Sequence, residues 1–331
     1  MNYSRNYGSK ARLGISNVRI LVTGGLGFVG SRLCIHLKQQ GHSVTIGGRS
    51  ISAPPNWFPQ ADFVNIDWED DYSLAQACED IDVVFHAAGM SSKECIEEPI
   101  KALQFKGLCT ARLLEQVGKS SATRFIYLST AHVYASPLVG VINEYTCPQN
   151  KHPYATSHLA AENVVLDSSR HSNIERIVVR LSNVYGAPVN PKANCWMLLV
   201  NDLCRQAIKH RHMVLKTSGI QRRDFVPMTK VVEILSSLAS QRLTDFSSNI
   251  LNIGSGNSMT VLEMTRLIKE RCKVVMGFIP KITSVPFEVD EQTHELSYES
   301  LFLTEKHFRK STDIINSEID RLLHFCHTHL R

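Results

Sequence analysis

The sequence predicts an α/β fold, a parallel β-sheet covered on both faces by helices. Three observations carry that prediction. From Val18 to about Ile126, short β-branched and aliphatic runs alternate with longer segments of helical periodicity, the order in which strands and crossover helices follow one another in a parallel sheet. The connections are short, and no internal repeat or low-complexity segment interrupts them. The first unit, VRILVTGGLGFVG over Val18–Gly30, joins a buried strand through a glycine turn to the first turn of a helix.

The elements follow in order. Val18–Val22 is aliphatic enough for a strand buried on both faces, and Phe28–Gln40 is the amphipathic helix after it. Ser43–Ile46, Asp62–Ile66, Val83–His86 and Phe125–Leu128 are the next strands, with helices over Tyr72–Cys78 and from about Ile100 to Lys119 between them. A helix from Pro153 to about His171 leads into a strand over Ile174–Arg180. A helical run over Cys195–Arg211 and a strand-like Met213–Leu215 come next. Ile315, Ile319, Leu322, Leu323 and Cys326 sit at helical spacing, so Ile314–Leu330 is expected to cap the fold as an amphipathic helix.

Composition excludes several classes. A chain of 331 residues with 43% hydrophobic content can bury a large core, in one big domain or two closely joined ones. The formal charge of +5 is modest, and no Lys/Arg block with interleaved aromatics argues for nucleic acid. Residues 1–17 form a polar tail, with Arg5, Lys10 and Arg12, lacking the apolar centre of a signal peptide; no later run is long enough to span a membrane. A soluble cytoplasmic protein without membrane or nucleic-acid partners is expected. The nine cysteines show no CxxC or Cys/His ligand spacing, which points to reduced, packed thiols rather than a disulfide framework or a metal site.

The glycine turn indicates a dinucleotide site of the Rossmann type. Gly24 makes the sharp turn, Gly27 lets the backbone approach a pyrophosphate, and Gly30 allows helix to pack on strand. The helix opening at Phe28 offers unpaired N–H groups to the phosphates. The second strand ends in Ile46-Gly47-Gly48-Arg49-Ser50, without the acid that holds the ribose hydroxyls of NAD. A guanidinium presents a planar fork to phosphate oxygens, so Arg49 tips the expectation from NAD toward NADP; the alternative is a solvated loop arginine. Asp67 is placed to accept from the adenine amino group, and Ala87, Ala88 and Gly89 let a cofactor lie against the backbone. His86 reads as a packed histidine.

TGGLGFVG, Asp67, HAAG, Leu128-Ser129-Thr130 and Tyr154 with a basic residue four positions on resemble the extended short-chain dehydrogenase/reductase family. RLSNVYG at Arg180–Gly186, RRDFVP at Arg222–Pro227 and NIGSG at Asn252–Gly256 narrow the resemblance to its nucleotide-sugar epimerase/dehydratase branch, over Val18 to Gly256. The resemblance implies a Rossmann-type doubly wound parallel sheet with a smaller C-terminal substrate-binding lobe. It divides the chain into the 1–17 tail, a dinucleotide-binding domain over 18–182, and a mainly substrate-binding part over 183–331 with segments returning to the sheet. It implies a homodimer through the helices near Ile100–Lys119 and Pro153–His171.

It also implies hydride transfer between nicotinamide and a sugar carbon, with Tyr154 taking or giving the hydroxyl proton and Thr130 orienting the reacting oxygen. Ser91, His132, Asn183 and Arg223 fall on the substrate side, with Asn183 and Arg223 toward a sugar diphosphate; Glu144 matches an acid ahead of the tyrosine helix. The chain departs from the pattern at three places. His158 stands where the family has the lysine that favours the phenolate and holds the nicotinamide ribose; a histidine still shares the helix face of Tyr154 but is mostly neutral at physiological pH. Ala131-His132 replaces the Asp-Glu of dehydratases, which argues against dehydration. PFEVDEQTH over Pro286–His294 lacks a second phosphate-binding arginine, a role left to Arg309 or to none. Three readings stand: an epimerase-like enzyme, an NADPH-dependent keto-sugar or carbonyl reductase, and a non-catalytic dinucleotide-binding protein.

Overall fold

Strand formation follows the β-branched and aliphatic runs, and the residues alternate between two buried faces. In the computed structural model, which describes residues 17–49, 51–167, 173–240, 249–286, 293–303 and 312–330, seven strands form one parallel sheet. These are β1 (Arg19–Thr23), β2 (Ser43–Gly48), β3 (Asp62–Asn65), β4 (Val83–His86), β5 (Arg124–Thr130), β6 (Glu175–Leu181) and β7 (Ile250–Ile253), in the spatial order β7-β6-β5-β4-β1-β2-β3. The order reverses between β1 and β4, and there the carboxyl ends of the strands open a crevice for a ligand.

Ile20 and Val22 face one core with Leu33, Cys34 and Leu37 of the helix α1 (Phe28–Gln39) and the helix over Met228–Ser240. Leu21 faces the other, with Leu113, Val117, Ala161 and Val165 from the helices over Thr110–Lys119 and Pro153–Leu166. Both faces are covered, the doubly wound arrangement expected.

Several boundaries differ from the sequence expectation. The helix expected from about Ile100 starts earlier, with a capped turn over Ser92–Glu97, restarts at Pro99 and widens into a π-helical stretch over Gln104–Cys109 before regaining α geometry. The Ser91–Glu94 capping box starts it and Pro99 interrupts it, because proline has no N–H to donate. The helix expected from Cys195 begins at Leu199. Asn252 and Ile253, the first two residues of NIGSG, belong to β7. The tyrosine helix ends at Leu166; residues 168–171, over which it was expected to continue, lie outside the described residues.

The last helix, Thr312–His329, buries Ile319, Leu322, Leu323 and Cys326 against the helices over Leu199–His210 and Val261–Met276. Its fully buried Glu318 accepts from Arg32 of α1 (3.1 Å) and from the backbone N–H groups of Ala187 (3.3 Å) and Thr229 (3.2 Å). All nine cysteines are free, and only Cys147 is exposed. Among the described residues no helix is long and apolar enough to cross a membrane.

The tyrosine helix is fixed by charge. Glu162, fully buried, accepts from Arg180 of β6 at 2.5 Å and from the Ser129 hydroxyl of β5. Burial alone would lower the Arg180 pKa, but the hydrogen bonds and charge of Glu162 outweigh it and raise it. Removing one partner of such a pair strands a buried charge. Glu162→Ala is therefore expected to lower unfolding free energy by about 3–5 kcal/mol, measured by urea denaturation.

Candidate active site

The glycine turn leaves no room for side chains. Gly24 has φ +68°, and a Cβ there would lie 2.6 Å from the Ala88 nitrogen; one on Gly30 would overlap the Gly24 carbonyl. Gly27, with its N–H bound to the Gly24 carbonyl at 2.9 Å, precedes α1, and no side chain caps that helix end. This close-packed turn, with uncapped N–H groups facing the crevice, fits a dinucleotide pyrophosphate. Ala87 and Ala88 form the facing wall, half-buried at the end of β4.

Past the ends of β2 and β3 the surface is more open. Arg49 is exposed just past β2; its neighbour Ser50 lies outside the described residues. Asp67, exposed past β3, uses Oδ1 to accept from the Glu69 N–H at 2.9 Å, while its own N–H is bound by Ser73 Oγ at 2.9 Å. His86 is buried, its Nδ1 2.7 Å from Thr23 Oγ1 and its Nε2 3.0 Å from Thr110 Oγ1. Burial drives its pKa down to about 3, so it is a neutral packing residue.

Tyr154 enters the site from the first turn of its helix. Pro153 suits that position, and His152 Nδ1 caps the Tyr154 N–H at 3.1 Å. Desolvation, then the nearby Cys95 thiol, pushes the phenol pKa up to about 12, and the Thr130 hydroxyl pulls it back. Thr130, at the end of β5, also accepts the His132 N–H at 3.2 Å.

His158 does lie beside Tyr154, with ring centroids 4.6 Å apart and an edge-on arrangement. Its Nδ1 is 2.8 Å from the Tyr127 hydroxyl, and burial, reinforced by Lys106, His132 and His86, holds its pKa well below the usual histidine value. The imidazole is neutral and brings no positive charge to the phenol. The sequence analysis missed Lys106, whose Nζ lies 4.0 Å from the Tyr154 ring centroid. Its side chain is only 1% exposed, and Nζ has no well-aligned acceptor. No short-range spacing links it to Tyr154; the only signal is a lysine between Phe105 and the Gly107-Leu108 pair in a largely apolar helical run.

On the substrate side, a cavity of about 380 Å³ brings together Phe28, Ser91, Thr130, His132, Tyr154, Asn183 and Arg223. The Ser91 hydroxyl is engaged as the N-cap of its helix, accepting from the Glu94 N–H at 3.3 Å. Parallel pairing of Asn183–Tyr185 with the strand Arg222–Pro227 sets Asn183 opposite Phe225, two residues beyond Arg223, and both Asn183 and Arg223 line the cavity. Asn183 Nδ2 donates to the Asp224 carbonyl at 2.9 Å. The Asp224 carboxylate, next in sequence to Arg223, is fully buried and accepts from Ser255 N and Oγ. Arg222 pairs with Glu263 and Glu295, whereas Arg223 makes no ion pair among the described residues. Burial lowers the Arg223 pKa. A second cavity of about 280 Å³ continues the space past His132, Asn183, Arg222 and Arg223. Desolvation, then Arg223 and His152, lower the His132 pKa.

Glu144 is 5% exposed and accepts from Asn252 N (3.0 Å), Ser300 Oγ (2.6 Å) and Leu301 N (2.9 Å), so it ties loops behind the site. Arg309 and residues 287–292 of PFEVDEQTH lie outside the described residues.

Residues 20–254 match the NAD dependent epimerase/dehydratase family model. A candidate UDP-glucose 4-epimerase of Methanocaldococcus jannaschii is 29% identical over 254 residues, 76% of this chain and 81% of that protein. The solved structure of TunA, an NAD-dependent NDP-hexosamine 5,6-dehydratase involved in tunicamycin biosynthesis, is 26% identical with a TM-score of 0.75, covering 94% of this chain and 98% of the other. MoeE5, solved with UDP-glucose and NAD, shares the fold at 24% identity and a TM-score of 0.71, over 95% of this chain and all of that one, 100%.

Proposed function

Because the chain belongs to the NAD-dependent epimerase/dehydratase family, we propose that it is a nucleotide-sugar epimerase-like enzyme acting at a sugar hydroxyl carbon. One observation carries the reading: Thr130, Tyr154 and Arg223 line a single cavity beside the glycine turn. NAD held by the glycine turn Gly24–Gly30 and the Ala87–Gly89 wall would supply the hydride acceptor for the sugar carbon and, once reduced, the hydride donor. Tyr154 takes and gives back the hydroxyl proton, Thr130 holds the reacting oxygen, and Arg223 with Asn183 grips the diphosphate, a task suited to a guanidinium that makes no ion pair among the described residues. Ala131 is buried and His132 is held toward its neutral form, so no carboxylic acid follows Thr130 to expel a hydroxyl. That favours epimerisation over dehydration.

The test supplies NAD with UDP-glucose and, separately, UDP-glucuronic acid, and follows the sugar by NMR. The expected result is a change of configuration at one carbon with the wild-type protein. Tyr154→Phe should slow it by about 10²-fold or more, and unchanged sugars in every wild-type reaction would reject the substrate class.

Arg49 supports acceptance of a 2′-phosphate, because no acid stands at the end of β2 to repel it. Arg49→Ala is expected to weaken NADPH binding by about tenfold and to leave NADH nearly unchanged, read by fluorescence titration. An equal effect on both would remove Arg49 from cofactor choice.

The assembly proposed is a homodimer. Ile96, Ile100, Leu103 and Leu108, on successive turns beside the tyrosine helix, are 57%, 74%, 44% and 58% exposed, an apolar set suited to a copy of itself. Ile100→Glu should shift sedimentation from dimer to monomer; a monomeric wild-type protein contradicts the assignment.

A further inference from the structure

We propose that Lys106 supplies the positive charge for proton transfer at Tyr154, in place of the side chain at position 158. The inference rests on the enzymatic reading of the site but concerns a different element from the one the Tyr-x-x-x-basic spacing indicates.

The geometry is specific. Lys106 belongs to the π-helical stretch Gln104–Cys109, which packs against the tyrosine helix; Gly107 lies opposite Ala160 across that contact. Single π-helical turns redirect side chains and occur often at functional sites. Here Lys106 extends inward, its Nζ 4.0 Å from the Tyr154 ring centroid. Its Cε is the nearest atom to a Cβ built on Gly89, at 3.7 Å. The ammonium group thus sits between the tyrosine and the Ala87–Gly89 wall of the dinucleotide crevice.

Its chemistry is unusual for a structural lysine. An ammonium group carries three donors, and burying one without an acceptor is costly. Nζ is buried without a well-aligned acceptor, although the Cys95 thiol lies close enough to favour its charged form. The groups facing it are Cys95 and Glu94 from the helix over Ser92–Glu97, and Tyr154 and His158 from the tyrosine helix. Glu94 is committed to the Ser91 cap, and His158 is neutral. Burial brings the Lys106 pKa down to about 8, with Cys95 and Glu94 opposing, so the group is mainly charged at pH 7.

A cation over the ring face is attracted to the neutral phenol and more strongly to the phenolate. The step it assists is balanced. Tyr154 enters the step as the phenolate, its own proton already lost to solvent: the sugar O–H bond breaks and the Tyr154 O–H bond forms, while a bound nicotinamide would take the C–H electron pair as hydride, and on return each bond change reverses. Lys106 keeps its proton throughout. His158, bound to Tyr127, then acts as a positioning residue on the tyrosine.

The sign of the pH dependence follows. The required species is the ammonium, so turnover is lost as pH rises through about 8. An enzyme limited only by ionisation of tyrosine would instead gain activity with rising pH.

The experiment compares wild type, Lys106→Met and the double variant Lys106→Met/His158→Lys. NADH formation from NAD and UDP-glucose is followed in single turnovers against pH. Expected are a fall of about 10²-fold in Lys106→Met, loss of the decline near pH 8, and at least tenfold recovery in the double variant. Lys106→Met is near in shape and removes a buried unpaired charge, so its thermal midpoint should equal or exceed the wild-type value; this separates lost chemistry from lost folding. Wild-type-like rates and profile in Lys106→Met overturn the proposal, as does a loss that lysine at 158 does not restore.

A second readout needs no turnover. In protein labelled at lysine Cε, NMR titration with Lys106→Met assigning the signal should show Lys106 protonated at pH 7. A neutral Lys106 there overturns the inference even if the enzyme is active. A charged Lys106 in a protein inactive on every sugar supports the charge placement while rejecting the enzymatic reading.

Discussion

The site depends on one buried contact, the ion pair of Glu162 with Arg180, joined by the Ser129 hydroxyl. Glu162 lies on the helix that carries Tyr154, Ser129 immediately precedes Thr130, and Arg180 lies on the next strand of the sheet. A charge-assisted contact tolerates little sliding, because displacement leaves an uncompensated charge in the core. The distance between the two hydroxyl-bearing residues is therefore set by electrostatics below them, while apolar packing alone would permit several registers. Arg180 is held in turn over the Tyr134 ring at 4.6 Å, and Tyr298 donates to its carbonyl at 2.8 Å, so the same node reaches the loops on the substrate side.

Much of this was legible because it is local. The glycine turn predicts its own conformation: Gly24 takes a positive φ and Gly30 meets backbone where a Cβ would lie. The seven-stranded sheet follows from aliphatic runs whose alternate residues enter two cores. Asn183 and Arg223, far apart in sequence, resolve into neighbouring strands of the same cavity rim.

What was not legible is non-local. Lys106 meets Tyr154 only because a π-helical stretch packs against another helix, and no periodicity encodes that contact. The spacing of Tyr154 and His158 correctly places their rings together, but only burial and the Tyr127 hydroxyl reveal that the imidazole is neutral. The different fates of Arg222 and Arg223 have the same source: acids from distant segments, Glu263 and Glu295, claim Arg222 and leave its neighbour.

Glu318 gives the fold a history as well as a shape. The carboxylate on the last described helix accepts from Arg32 in the first, and from backbone at Ala187 and Thr229 between them. During synthesis, β1 and α1 leave the ribosome well before that acid, because 286 residues separate Arg32 from Glu318. The first strand and helix of the sheet thus pass through a period in which Arg32 awaits its acid, and their final consolidation waits for the helix that carries Glu318.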